Sequence, residues 1–180
     1  LIAEEIRKLL PRWAGCVGGV IECDELVPTA SRETIQEDDV YFQVQAQLEE
    51  ALIQGLVTLS KEEPVAWRRI LMQHTDALLG AALCDPRLLE LLAPALSVPT
   101  TEGDLSLPRV LERSEHKLYV TTSEKSGFEE VLFRALSVPI IKGYRYAAFP
   151  FARRFSELRN VPLIELGTSQ GEGAVFTRVA

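Results

Sequence analysis

The sequence predicts a mixed α/β chain, helical from about residue 31 to about 95 and closing in a small α/β lobe. Three patterns predict it. Apolar residues recur with a stride near four between positions 35 and 56, a Leu- and Ala-rich stretch follows to about residue 95, and strand and helix patterns alternate beyond residue 115.

IAEEIRKLL puts Ile2, Ile6, Leu9 and Leu10 on one helical face, and Pro11 ends or bends that helix. GCVGGVIE, 15–22, is a strand candidate. Gly18 and Gly19 weaken it alone, so a neighbouring strand has to support it or the backbone passes close to something. In PTASRETIQEDD, 28–39, Ser31 is placed to cap a helix, and Ile35, Val40, Val44, Leu48, Leu52 and Leu56 then give a helix of about seven turns, from Ser31 to about Leu56.

Pro64 with Ser60 or Glu62 before it starts the next helix, over VAWRRILMQHTDALLGAAL. Asp85 before Pro86 starts another, PRLLELLA, which Pro94 closes. TTEGD, 100–104, is the most turn-like stretch, and a lobe boundary is expected between about 95 and 115. The last lobe reads as strand KLYVTT (117–122), helix GFEEVLFRAL (127–136), strand VPIIKG (138–143), helix AAFPFARRFSEL (147–158) and strand VPLIEL (161–166), with parallel strands and right-handed crossovers.

Net charge is −7, and the excess is confined to the first third: residues 1–60 hold 4 basic and 11 acidic side chains. No basic stripe offers counterion release or attraction to anionic lipid, so neither nucleic acid nor a membrane surface is expected as the main partner. No apolar run reaches the ~20 residues that span a bilayer, and no leader pattern is visible. The chain is expected to be cytoplasmic, with Cys16, Cys23 and Cys84 as reduced thiols. Leu1 in place of Met reads as a piece of something longer.

Most candidate chemistry dissolves on inspection. The glycines at 15–19 fit neither a GxxxxGK[ST] nor a GxGxxG pattern. GTSQGEG, 167–173, lacks a lysine and a following helix pattern and reads as a loop. Neither His74 nor His116 has a ligand-like or triad-like setting, no metal spacing occurs, and no set of acid, base and nucleophile converges on one segment.

Arg32 stands out. It is the only Lys or Arg between Arg12 and Lys61, and at a helix entrance it would oppose the positive end of the macrodipole, at a cost of about 0.3–1 kcal/mol. A positioned guanidinium can stabilise charge on a transferring γ-phosphate, and Gln36, one turn along, could orient a phosphate or water. The alternative is a solvated surface pair.

LLPRWAGCVGGVIECDELVPTASRETIQ, 9–36, resembles the heat-shock protein 90 chaperone family, of the bacterial high-temperature protein G type. That family's middle domain carries a helix, an aromatic after Pro-x, a Val-x-Gly-Val-Val/Ile strand, an acidic loop and Ser-Arg-Glu. Here these are Pro11, Trp13, Val17, Gly19, Val20, Ile21, Glu25, Leu26, Ser31, Arg32 and Glu33. HKLYVTT, LFRALSVPIIKG and VPLIEL resemble its later small lobe. The resemblance implies three parts: 1–59, the end of a larger α/β/α lobe with the Ser-Arg-Glu helix; 60–114, a helical connector; and 115–180, a small α/β/α lobe.

It also implies a middle segment of an ATP-dependent chaperone. ATP and magnesium would be bound by a separate N-terminal domain, Arg32 would contact the γ-phosphate with Gln36 as its helix-face companion, and a C-terminal domain would hold a homodimer. The chain itself would bind neither cofactor and be inactive alone. Client proteins are expected at exposed aromatic positions, with Trp13, Tyr144, Tyr146, Phe149 and Phe151 as candidates.

Some positions depart from the family. Thr29 stands for an asparagine, Gln45, Ala46, Glu50 and Ala51 stand where basic pairs are usual, and Tyr144 and Arg145 replace an acidic pair. The competing reading is a non-enzymatic helical adaptor that kept this architecture without nucleotide coupling.

Overall fold

The computed structural model describes residues 7–15, 17–31, 33–125, 127–169 and 171–173. Its contacts divide the chain into two units, Leu1–Ala77 and Leu78–Ala180.

The first unit is organised on one long helix, α1 (Asp39–Glu62), followed by α2 (Pro64–Gln73). Short 3-10 turns at Arg7–Leu9 and Arg12–Ala14 precede them. Helix α1 begins eight residues later than the sequence pattern predicts. Its cap is Asp38, whose Oδ1 accepts the Tyr41 N–H at 2.9 Å. Ser31 and Glu33 are not helical. The acidic run Glu37-Asp38-Asp39 offers a stronger N-terminal signal than Ser31, because it places a carboxylate where the first free N–H groups point and another in the first turn.

At its other end α1 runs past Leu56 to Glu62, and Pro64 then opens α2 as its first residue, where a missing N–H costs nothing. The core of this unit gathers Leu9, Leu26, Ile35 and Tyr41, with Cys23, Val44 and Leu48 against them.

The strand expected at 15–22 is not formed. Residues 17–22 have no strand pairing, Val20 is 94% exposed, and a Cβ at Gly18 or Gly19 would meet nothing within 4 Å. With no second strand beside it among the described residues, the segment has no ladder to join. Cys16 lies outside the described residues, as does most of the helix expected over Ile2–Leu10, whose described part is the 3-10 turn at Arg7–Leu9.

The helix expected over VAWRRILMQHTDALLGAAL is broken at His74: α3 (Thr75–Cys84) follows it and runs across the boundary into the second unit, where α4 (Pro86–Leu92) comes next. Asp85 caps α4 as its sequence position predicts, with Oδ1 accepting the Arg87 N–H at 2.7 Å. A hairpin follows: β1 (Ser97–Thr100) and β2 (Gly103–Ser106) flank the expected turn, with Gly103 at φ +93°. Then come α5 (Leu107–Arg113), β3 (Leu118–Thr121), α6 (Phe128–Ala135), β4 (Ile140–Lys142), α7 (Ala148–Arg159) and β5 (Leu163–Glu165); from β3 onward each falls inside the segment whose pattern predicts it, except that α7 runs one residue further.

The five strands form one mixed sheet in the order β2-β1-β4-β3-β5. β3 is parallel to both β4 and β5, and β1 is antiparallel to β2 and β4. All four residues of β3 are buried, as a central parallel strand covered on both faces requires. Tyr119, Phe133, Val138, Ile140 and Leu166 form a core here, and Phe151, Ala152 and Phe155 of α7 are buried as well.

Candidate functional site

The segment that carries the family-like motif folds as a closed loop. Pro28 and Ile35 form an antiparallel bridge. Beside it the Thr29 N–H donates to the Thr34 carbonyl and the Gln36 N–H to the Val27 carbonyl, both at 2.8 Å. The Thr29 hydroxyl lies 3.2 Å from the Thr34 carbonyl, to which it donates, 3.2 Å from Thr34 Oγ1 and 3.1 Å from Ser31 Oγ. These contacts tie residues 27–29 to residues 34–36.

Leu26 and Ile35, at the two ends, are buried in the first unit's core, so the base is anchored while Ser31 and Glu33 at the tip are exposed. Arg32 itself lies outside the described residues.

Gln36 is not on a helix, which corrects its expected role as the helix-face companion of Arg32. It follows the bridge, and its side-chain amide donates to the Pro28 carbonyl at 3.0 Å, adding a further tie across the loop. Ser31 and Glu33, which flank Arg32 in sequence, are not helical, so the helix entrance expected at Ser31 is not formed there. Thr29, in sequence a replaced asparagine, is the centre of a clamp whose signal is the cluster of small hydroxyl residues at 29, 31 and 34.

Around the loop base, Lys8 Nζ pairs with Glu37 Oε1 at 3.0 Å, and the Gln45 side-chain amide donates to the Lys8 carbonyl at 2.7 Å. The hydrogen bond and charge of Glu37 push the lysine's pKa up. Burial likewise pushes the Tyr41 phenol up. Gln45, at a position where the resemblance leads one to expect a cation, therefore holds the chain that enters the core.

The aromatic candidates separate by burial. Trp13 is buried, with Nε1 donating to Glu49 Oε1 at 3.2 Å, and Phe151 is fully buried on α7. Phe149 is half-buried; Tyr144 and Tyr146 are exposed, with the Tyr146 hydroxyl 3.4 Å from where a Cβ on Gly80 would stand.

Of the remaining candidates, GTSQGEG departs from a plain loop. Gly167 turns at φ +82°, Thr168 Oγ1 donates to the Glu165 carbonyl at 2.6 Å, and residues 169 and 171–173 are helical. His74 ends α2 half-buried, and His116 is exposed in a left-handed turn. Cys23 and Cys84 are free. Among the described residues no group of three His, Cys, Asp or Glu side chains is placed to hold a metal ion.

No family model matches the chain. Over 68 residues it is 35% identical to the chaperone protein HtpG of Chlorobaculum tepidum, a match that covers 38% of this chain and 11% of that protein. The matched stretch thus spans about a tenth of that chaperone's length.

Proposed function

We propose that the chain is the middle segment of an ATP-dependent chaperone of the heat-shock protein 90 type, and that Arg32 reaches the γ-phosphate of ATP bound with magnesium by a separate N-terminal domain. The observation that carries this reading is the ungapped resemblance over 9–36, supported by the 68-residue similarity to HtpG. The clamped loop adds physical sense. A guanidinium delivered between domains has to be presented on a short tip whose base does not move, because a finger that wanders loses the orientation on which transition-state stabilisation depends.

In the parent protein a C-terminal domain would hold a homodimer, and client proteins would meet exposed aromatics, of which Tyr144 and Tyr146 are the accessible members here. A cytoplasmic setting belongs to the same proposal. No helix among the described residues is long and apolar enough to cross a membrane.

The test is steady-state ATP hydrolysis by the full-length parent, wild type against Arg32→Ala, with nucleotide binding measured in parallel. Turnover should fall on the order of 10³-fold with binding kept, the range seen for arginine fingers. Unchanged turnover would favour the adaptor reading, to which the uncharged Gln45, Ala46 and Ala51 on α1 already lend weight. The chain alone should show no turnover.

A further inference from the structure

Helix α2 turns an unusual face to water. Trp67 on one side is buried, while Val65 is 72% exposed and Met72 is 76% exposed on the other. Arg68 and Arg69 lie between them on the same exposed side. At 100° per residue, positions 65, 68, 69 and 72 share one stripe.

Neither arginine has an acidic residue three or four positions away on the helix, and neither makes an ion pair among the described residues. In a chain of net charge −7, two adjacent cations that make no ion pair among the described residues, framed by two exposed apolar side chains, form a surface to which an acidic amphipathic segment is complementary.

We propose that this stripe is a docking surface for an acidic amphipathic helix of another protein. Val65 and Met72 are seven residues apart, so their anchor points are separated by about 10 Å along the axis. The partner is therefore one with two apolar side chains two turns apart and carboxylates between them, in the helix-on-helix mode of recognition. Each part has a distinct task. The flexible thioether of Met72 adapts to the shape of an apolar neighbour. The forked guanidinium groups bind carboxylates in a fixed direction and so set the partner's orientation. A nucleic acid is a poor match, since two arginines on an acidic chain would release few counterions.

The probe is a labelled 18-residue synthetic helix with leucines seven positions apart and glutamates between them, titrated with the 180-residue chain by fluorescence anisotropy. Binding should weaken steeply as salt is raised, and Val65→Ser with Met72→Ser should weaken it at every salt concentration. Arg68→Glu with Arg69→Glu should lower affinity at least tenfold, and should gain affinity for the same peptide carrying lysines in place of the glutamates. All four side chains are exposed, so the fold does not depend on them. Absence of binding, equal binding of the acidic and basic peptides by the wild type, or failure of the charge swap to reverse the preference would overturn the proposal.

Discussion

Gly143 passes so close to Val120 that a Cβ built on it would lie 2.7 Å from Val120 Cγ2, and 3.0 Å from the Thr121 carbonyl oxygen. The Gly143 N–H donates to that same carbonyl at 2.8 Å, which locks the end of β4 to the end of β3. Gly143→Ala should therefore destabilise the second unit by about 1–3 kcal/mol, the usual cost of overpacking, because the fully buried, β-branched Val120 and the β3 backbone at Thr121 have little room to give way. Chemical denaturation of the two proteins measures it.

The Thr29 clamp predicts a local effect. Thr29→Val removes a hydroxyl in contact with Thr34 and Ser31 while keeping the β-branched shape. About 1 kcal/mol or less of global stability should be lost, with faster amide hydrogen exchange at Thr29 and Gln36 and unchanged exchange in α7. Equal protection at positions 29 and 36 would show that the backbone bridge alone holds the loop.

Tyr119 on β3 and Phe133 on α6 stack with ring centroids 4.4 Å apart and planes tilted by 36°. Both are almost fully buried. Phe133→Ala should cost about 3–5 kcal/mol and Phe133→Leu distinctly less, since leucine refills most of the volume and loses only the ring pair, itself worth about 0.5–1.5 kcal/mol. Thermal unfolding followed by circular dichroism ranks the two.

Asp85 gives a pH dependence with a definite sign. The side-chain hydrogen bond from Arg87 holds the carboxyl below its ordinary pKa, although burial opposes it. A lowered folded-state pKa contributes stability that is present above the ordinary value, near pH 4, and is lost as pH falls through the folded value. Asp85→Asn keeps a capping oxygen but not the charge. The gap in melting temperature between wild type and this variant should be widest near neutral pH and close below about pH 4.

From β3 to β5 the elements were legible in the sequence because each is bounded by its own punctuation: Gly127 before α6, Pro139 before β4, and Asn160, left-handed at φ +51°, after α7. Short apolar runs such as LYVT leave little choice once both faces are buried. The hairpin β1–β2 was hidden, since Pro99 inside a four-residue run argues against a strand and only the pairing with β4 reveals its place. The start of α1 was misread because two capping signals, Ser31 and Asp38, lie seven residues apart, and local pattern cannot weigh the cross-loop contacts of Thr29, Thr34 and Gln36 that favour the later one. Residues 17–22 show the reverse fault: strand propensity was present, but propensity forms no strand without a neighbour.

The sheet's two outer strands are only four residues, Gly103–Ser106, and three residues, Leu163–Glu165, long, and each carries an acid, Asp104 and Glu165. Stubby, negatively charged rims are poor templates for another chain's backbone. Under heat stress, when partly opened proteins meet most often, this unit should resist templating β-aggregates through its own borders.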